Sequence, residues 1–520
     1  MKWMRAAFRT DASDQIGTGH VMRCLTLADA LRERDCECRF ICREEPGNLN
    51  EQIRQRGFEV NTLSASFLNS GSDPFTNEQP KHAAWLRVDW QLDAEQTKAA
   101  IDDAKFDWLI VDHYAIDIRW EKSLRSHFQK IMVIDDLADR RHDCDLLLDQ
   151  NLVDDWQHRY QGKVPADCGL MLGPEYALLQ PHYAELHARI PPREGPIRQL
   201  LVYFGGADEN NLTGMAIDAF LSMKRKDIAV NVVINPFGIH AEAIRRQVAE
   251  IEQITLHEFI PSLAPLIAKA DIAIGAGGTT SWERCCLGLP SIVISVAENQ
   301  RPVVMELERH GLIRLLGCKE EVSQANLVQA LKEVFDNGLE VSWSQHCQQR
   351  VDGKGIFRVS MILTLNTQTI LRARLARLDD EDKFLQWAND SLVRQNAFNP
   401  NPIDPLTHRN WFREHLRDLD NYRLYIVDTD VGFPVGQVRF ERGDEGWVID
   451  YALDARVRGR GLGKPMLKTA LLALQSSTKG ASVICYVKGE NSLSRHIFEK
   501  LGFDCEKRNN KIVFHRQLIS

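Results

Sequence analysis

The sequence predicts an α/β protein with two consecutive halves built on parallel sheets, followed by a third part of α+β type. Three observations predict this. Short, continuous apolar runs alternate with helical patterns from residue 1 to about 350, and a proline-rich break divides that stretch. A polar segment then closes it, and beyond about residue 370 the strands alternate apolar and polar residues. The 520 residues hold about three domains at roughly 100–200 residues each.

The elements follow in order. Residues 4–8 form a short strand. The helix after it carries Val21, Cys24, Leu25, Ala28 and Leu31 on one face at helical spacing. Residues 106–111, 130–134, 200–204, 230–234, 271–274 and 291–294 read as buried strands. Strands of this kind separated by helices imply parallel sheets covered on both faces. Ile190-Pro191-Pro192-Arg193-Glu194-Gly195-Pro196 fits neither sheet nor helix and reads as a linker. The expected domains are therefore 1–190, 197–355 and 370–520. In the last, helices are expected near 380–389, 407–418, 461–475 and 491–500, with strands at 422–427 and 435–440.

Composition excludes several classes. Sixty-four basic and 72 acidic residues give a net charge of −8, which argues against a non-specific binder of nucleic acid or of a membrane surface. No apolar run reaches the ~20 residues of a membrane span. Arg9 and Asp11 interrupt any secretory apolar region at the start. The 12 cysteines include no C-x-x-C pair, so reduced thiols in a cytoplasmic protein are expected.

Chemistry gathers first at Arg9-Thr10-Asp11-Ala12-Ser13 and Ile16-Gly17-Thr18-Gly19-His20. Gly17 and Gly19 let the backbone come close to a ligand, just before a helix N-terminus whose free N–H groups attract anions. His20 falls on the first turn, and an imidazole exchanges protons near neutral pH. A tight turn carrying a surface histidine fits the same residues. Further on, Gly275-Ala276-Gly277-Gly278-Thr279-Thr280-Ser281-Trp282-Glu283 leads from a strand into a helix. It offers N–H groups and hydroxyls to a diphosphate, and Glu283 to ribose hydroxyls. A first-turn glutamate stabilised by the helix dipole is the plainer account of Glu283. The triplets Asp143-Cys144-Asp145, Asp380-Glu381-Asp382 and Asp428-Thr429-Asp430 fit loops or helix starts, so no metal is expected. Asp135-Asp136 after a strand reads either as a site or as turn and cap carboxylates.

The segment from Arg9 through His20 to Val21-Met22-Arg23-Cys24 resembles the UDP-2,4-diacetamido-2,4,6-trideoxy-beta-L-altropyranose hydrolases, the UDP-sugar hydrolases of the pseudaminic acid pathway. The resemblance continues in Asp112-His113-Tyr114, in Phe204-Gly205-Gly206-Ala207-Asp208 with Asn211, and in Glu298-Asn299-Gln300, and spans roughly residues 4–350. It implies two Rossmann-like domains of glycosyltransferase-B type. It also implies His20 as the catalytic base, with Tyr114 and Asn299 close to the reacting sugar. The matching motifs make Asp11, Gly17, Gly19, Gly205, Gly206, Asp208, Asn211 and Gln300 candidate substrate contacts. Gly278, Thr279, Thr280, Ser281 and Glu283 would hold the nucleotide.

In the last part, Tyr451-Ala452-Leu453 ends a strand, and Arg458-Gly459-Arg460-Gly461-Leu462-Gly463 opens a helix. Successive N–H groups of such a loop wrap a pyrophosphate, and the arginines add charge. With Asn491-Ser492 and Phe498-Glu499-Lys500-Leu501-Gly502-Phe503, this resembles the GCN5-related N-acetyltransferases over about 370–518. The resemblance implies acetyl-CoA at Leu453 and at Arg458, Gly459, Arg460, Gly461, Leu462 and Gly463, with Asn491 near the pantetheine arm. The family often has a tyrosine where this chain has Phe498, which has no hydroxyl to reprotonate a thiolate. Either another group replaces it, with Tyr486 and His496 as candidates, or water does, or the domain is impaired or only binds CoA; Phe498 and Phe503 read as core.

The two resemblances together imply a bifunctional enzyme acting on small molecules, a UDP-sugar and acetyl-CoA. The acetyltransferase would act just before the hydrolase. A glycosyltransferase-B enzyme that hands the sugar to an acceptor, and a non-enzymatic UDP-sugar or CoA-binding module, are the alternatives.

Overall fold

The computed structural model describes residues 4–64, 79–101, 105–206, 208–478, 480–508 and 511–518. Ala207, within the quoted glycine motif, lies outside them. The chain divides into two compact units, one of residues 1–166 and 171–360, the other of residues 167–170 and 361–520.

The first unit contains two sheets. In the first sheet the strands are β1 (Met4–Thr10), β2 (Cys36–Arg43), β3 (Glu59–Leu63), β4 (Phe106–Asp112), β5 (Phe128–Ile134), β6 (Leu146–Asp149) and β7 (Gly169–Leu172), in the order β3-β2-β1-β4-β5-β6-β7. Pairing is parallel from β3 through β6. The second sheet holds β8 (Gln199–Tyr203), β9 (Ala229–Val233), β10 (Ile254–His257), β11 (Ile272–Ala276), β12 (Ser291–Ser295) and β13 (Arg314–Cys318), ordered β10-β9-β8-β11-β12-β13 and parallel throughout. Leu200, Val202, Ile272, Ile274, Ile292 and Ile294 pack into one core. Leu201, Ala273 and Val293 pack into another. Burial on both faces is why these strands read as unbroken apolar runs. Residues 190–196 are irregular; Gly195 bridges to Leu339, and the buried Arg193 donates to the carbonyls of Ala270 and Ile267.

Each sheet reverses strand order once, between β1 and β4 in the first and between β8 and β11 in the second. Ligands of open α/β sheets bind beyond the carboxyl ends of the strands at such a switch point. The G-T-G-H segment follows β1 and Asp112 ends β4. Gly205-Gly206 follows β8, and Gly277-Gly278-Thr279 follows β11.

The second unit carries β14 (Leu371–Leu375), β15 (Tyr422–Thr429), β16 (Pro434–Gly443), β17 (Gly446–Leu453), β18 (Ser482–Lys488), β19 (Asp504–Arg508) and β20 (Lys511–Gln517). Their order is β14-β15-β16-β17-β18-β20-β19. Every pair is antiparallel except β17 with β18, and that ladder covers only Trp447↔Val483 and Val448↔Ile484. Beyond those pairs β17 and β18 separate. Gly436 of β16 faces Met466, so the helix Gly463–Ser477 covers one side of the sheet. Phe384, Trp387 and Phe412, from helices Glu381–Ala388 and Pro405–His415, pack with Ala452 on the other. Among the described residues no helix is long and apolar enough to cross a membrane. All twelve cysteines carry free thiols.

Candidate functional site

The helix Gly19–Arg32 buries Val21, Cys24, Leu25, Ala28 and Leu31, and this anchors its first turn at the end of β1. His20 there is 7% exposed. Its Nδ1 lies 2.5 Å from Asp112 Oδ1. Arg23, one turn on, grips both oxygens of Asp112, with Nε and Nη2 each at 2.6 Å, and reaches Asp136 Oδ2 through Nη1 at 2.6 Å. The Tyr114 hydroxyl donates to the same Asp136 oxygen at 2.9 Å. The Tyr114 ring meets His20 edge-on at 4.5 Å and stacks on Trp85, with His82 beside both. Burial alone would raise the Asp112 carboxyl. The charge of Arg23, then of His20, with their hydrogen bonds, holds it below the usual range instead. Burial and the neighbouring Asp136 push the Tyr114 hydroxyl well up, so it stays protonated.

A carboxylate on Nδ1 selects the tautomer that carries its proton there and leaves the lone pair on Nε2. Gly17 has φ +80°, and a Cβ placed on Gly17 or Gly19 would meet no atom within 4 Å, so the backbone here borders open space. Asp11 is not a free group. It is buried, salt-bridged to Arg9 at 2.7 Å, and accepts the Arg43 N–H at 2.7 Å. Asp93 joins Arg9 and Arg43 behind it, forming a buried floor of charge pairs. Asp135 is likewise structural, held by Arg140, Ala138 N–H and Tyr160. Asp136 is the member of that pair that belongs to the cluster.

In the second half, Gly205 (φ +92°) and Gly206 also border open space. Asp208 accepts from the N–H groups of Leu212 and Thr213, and Asn211 from that of Gly214, so both side chains cap the helix Leu212–Ser222. Phe237 and Phe259 follow β9 and β10, stand edge to face at 5.7 Å, and are strongly exposed. Such an apolar pair at the carboxyl edge suits the face of a base; sequence reading missed it. In the glycine-rich loop Gly278 and Thr280 are half-buried and Thr279 is exposed. Ser281 is buried and takes a hydrogen bond from Arg284. Burial pushes the Glu283 carboxyl up to about 7, against the opposing pull of Tyr183 and Arg284. Gln300 lies against Gly277 and Gly278. Asn299 is exposed in the turn Glu298–Gln300, whose Glu298 pairs at 3.5 Å with Lys81, the neighbour of His82.

In the second unit Gly459 and Gly461 have φ of +70° and +73°, so the loop turns its backbone through left-handed positions before the helix Gly463–Ser477. Arg458 donates to the Leu453 carbonyl and to Asp390 at 2.6 Å. Arg460 donates to the carbonyl of Arg456. Leu462, just before the helix, is buried. Asn491 caps the helix Ser492–Lys500 through Ser494 N–H. The glycine loop thus stands at a helix N-terminus in the same unit as the opening beyond the short β17–β18 ladder. Phe498 is fully buried, against Phe503 and Phe514. Tyr451 stands edge-on to Phe498 and shares a 2.9 Å hydrogen bond with Ser494 Oγ. Burial pushes its hydroxyl up to about 12. Sequence reading passed it over because Tyr451 lies on the strand rather than on the helix of Phe498.

Fold and site define a protein with two Rossmann-like sheets of glycosyltransferase-B type, followed by an acetyltransferase domain. Residues 203–353 match the glycosyltransferase family 28 C-terminal domain, and residues 371–504 match the acetyltransferase (GNAT) domain. The chain is 28% identical over 211 residues to a Campylobacter jejuni protein, UDP-2,4-diacetamido-2,4,6-trideoxy-beta-L-altropyranose hydrolase, covering 40% of this chain and 63% of that one. It is 24% identical over 363 residues to the spore coat polysaccharide biosynthesis protein SpsG of Bacillus subtilis, covering 69% and 98%. Mycothiol acetyltransferase of Rhodococcus erythropolis is 31% identical over 136 residues, 24% of this chain and 44% of that one. These matches place the chain among enzymes, similar to a UDP-sugar hydrolase and carrying a GNAT domain.

Proposed function

We propose that the chain is a bifunctional nucleotide-sugar enzyme. Its N-terminal part hydrolyses UDP-2,4-diacetamido-2,4,6-trideoxy-beta-L-altropyranose to UDP and free sugar. Its C-terminal part N-acetylates the preceding UDP-linked 4-amino sugar with acetyl-CoA. The observation that carries the reading is the imidazole of His20, oriented by Asp112 at a topological switch point.

Nε2 of His20 takes a proton from water as the water oxygen bonds to the anomeric carbon and the bond to UDP breaks. Arg23 keeps Asp112 ionised and in place, and Asp112 stabilises the imidazolium that forms. UDP leaves as a stable anion, so the site needs charge stabilisation more than a general acid. N–H groups at Gly206, Gly278 and Thr279 supply it, and Glu283 holds the ribose. Attack opposite the leaving group inverts the anomeric centre. In the other unit, the 4-amino nitrogen bonds to the thioester carbonyl carbon of acetyl-CoA as the C–S bond breaks, and the proton the amine loses passes to water. The loop from Arg458 to Gly463 holds the CoA pyrophosphate, and the Tyr451 hydroxyl, relayed by Ser494, returns a proton to the departing thiolate in place of the hydroxyl that Phe498 lacks.

The test is incubation of the purified chain with acetyl-CoA and the UDP-linked 4-amino sugar, followed by NMR. Free diacetamido sugar, UDP and CoA support the proposal, and unchanged UDP-sugar refutes it. The glycosyltransferase match favours a second reading, transfer to an acceptor. That reading requires little UDP release when no acceptor is added.

A further inference from the structure

The second unit holds a pocket that the motifs do not touch. Phe384, Ala388, Ile403 and Trp411 form its apolar walls, and His408, Gln437 and Arg439 its polar part. Two of those polar side chains are nearly inaccessible, His408 at 3% and Gln437 at 5% exposure. Both ring nitrogens of His408 and the Oε1 of Gln437 are buried without a hydrogen-bond partner. Leaving such atoms unpaired is costly, and a fold tolerates it where a ligand completes the bonding. Arg439 is steadied by Asp450 at 3.1 Å and by the face of Trp411.

The location selects the ligand. Gln437 lies on β16 opposite Ala452, one residue before Leu453. Gln437 and Ala452 sit on the face away from the helix Gly463–Ser477, the face covered by helices Glu381–Ala388 and Pro405–His415. Ala388 precedes Asn389 and Asp390, and Asp390 holds Arg458. The pocket therefore adjoins the end of β17 from the side opposite the pyrophosphate loop. An acetyl acceptor must reach a thioester lying in the β17–β18 gap from that side. A mostly apolar chamber with one acceptor oxygen and one neutral imidazole suits a deoxygenated ring bearing N–H and O–H groups. Burial lowers the His408 pKa, against Glu381 and Asp382 on the adjoining helix and alongside Arg439 on β16, so the imidazole offers one donor and one acceptor.

We propose that this pocket, with His408 and Gln437 as its hydrogen-bonding groups, receives the amine-bearing deoxy sugar ring of the acetyl acceptor. This rests on the acetyltransferase reading above. The experiment is steady-state acetylation by the full-length chain, with the UDP-linked 4-amino sugar and acetyl-CoA each varied, for wild type, Gln437→Leu and His408→Gln. Ile403→Trp, which fills the chamber without removing a buried polar group, guards against a variant that misfolds. The acceptor KM is expected to rise about tenfold or more in each variant, while acetyl-CoA KM, and UDP release from the diacetamido UDP-sugar supplied directly, stay within about twofold. An acceptor KM that stays put while transfer proceeds overturns this pocket alone. Wild-type chain that transfers no acetyl group to the amino sugar overturns the acetyltransferase reading and the pocket with it.

Discussion

At the scale of the residue, His20 depends on charges behind it. Asp112 is fully buried, and a lone carboxylate there would cost several kcal/mol; Arg23 and His20 offset that cost by direct bonds. The G-T-G-H segment is contiguous, so the imidazole was legible in the sequence. The joining of Asp112 to Asp136 through Arg23 was not, because it arises only when β4 and β5 lie side by side and bring their ends together. Tyr451 shows the same limit. The sequence pointed to Tyr486 and His496 as substitutes for the missing hydroxyl of Phe498. Both are exposed, whereas Tyr451 is half-buried beside Phe498 and hydrogen-bonded to Ser494, which is what supports the proposal for it. Tyr451→Phe should lower acetyl-transfer kcat by about tenfold to a hundredfold with acetyl-CoA KM unchanged. Adding Phe498→Tyr to that variant should restore turnover, which a purely structural loss would not allow. Stopped-flow CoA release reads both. Failure of the second substitution to rescue a folded protein removes Tyr451 from the proton path.

Elements explain why some motif residues occupy their positions. Asp208 and Asn211 sit in a sequence match to a hydrolase family, yet their oxygens satisfy the first N–H groups of the helix Leu212–Ser222. Both have positive φ, 39° and 51°, and Asn and Asp tolerate that better than most residues. Motif matching cannot separate a cap from a ligand, since each asks for a short oxygen-bearing side chain after glycine. Asn211→Ala should destabilise the chain by about 0.5–2 kcal/mol, as loss of a cap does, while UDP release at saturating substrate stays near wild type. Thermal melting and UDP-release kinetics measured together decide it: loss of turnover at unchanged stability makes Asn211 a substrate contact. The strands were legible for the opposite reason. Runs such as 200–204 and 291–294 are buried on both faces, so their pattern required no knowledge of neighbours. The pocket around His408 was hidden, because Gln437 alternates with Gly436, Val438 and Phe440 in the sequence of β16 and so reads as a solvent-facing position, yet it is buried.

At the scale of the molecule, the two candidate sites fall in different compact units, so damage to one chemistry should leave the other standing. His20→Ala removes the base without touching the second unit. Supplied with acetyl-CoA and the UDP-linked 4-amino sugar, this variant should release CoA at the wild-type rate. UDP release should fall by about 10²–10⁴-fold, and the diacetamido UDP-sugar should accumulate. Gly461→Val is the mirror experiment. A side chain at Gly461 would meet Thr367 at 2.6 Å and would strain a backbone at φ +73°, so the loop that holds the pyrophosphate is distorted. That variant should leave the amino sugar unacetylated, yet release UDP normally when given the diacetamido UDP-sugar directly. Chromatography of the two reaction mixtures separates these products. If His20→Ala abolishes acetylation as fully as UDP release, the two activities do not belong to two independent sites, and the assignment of one chemistry to each unit fails.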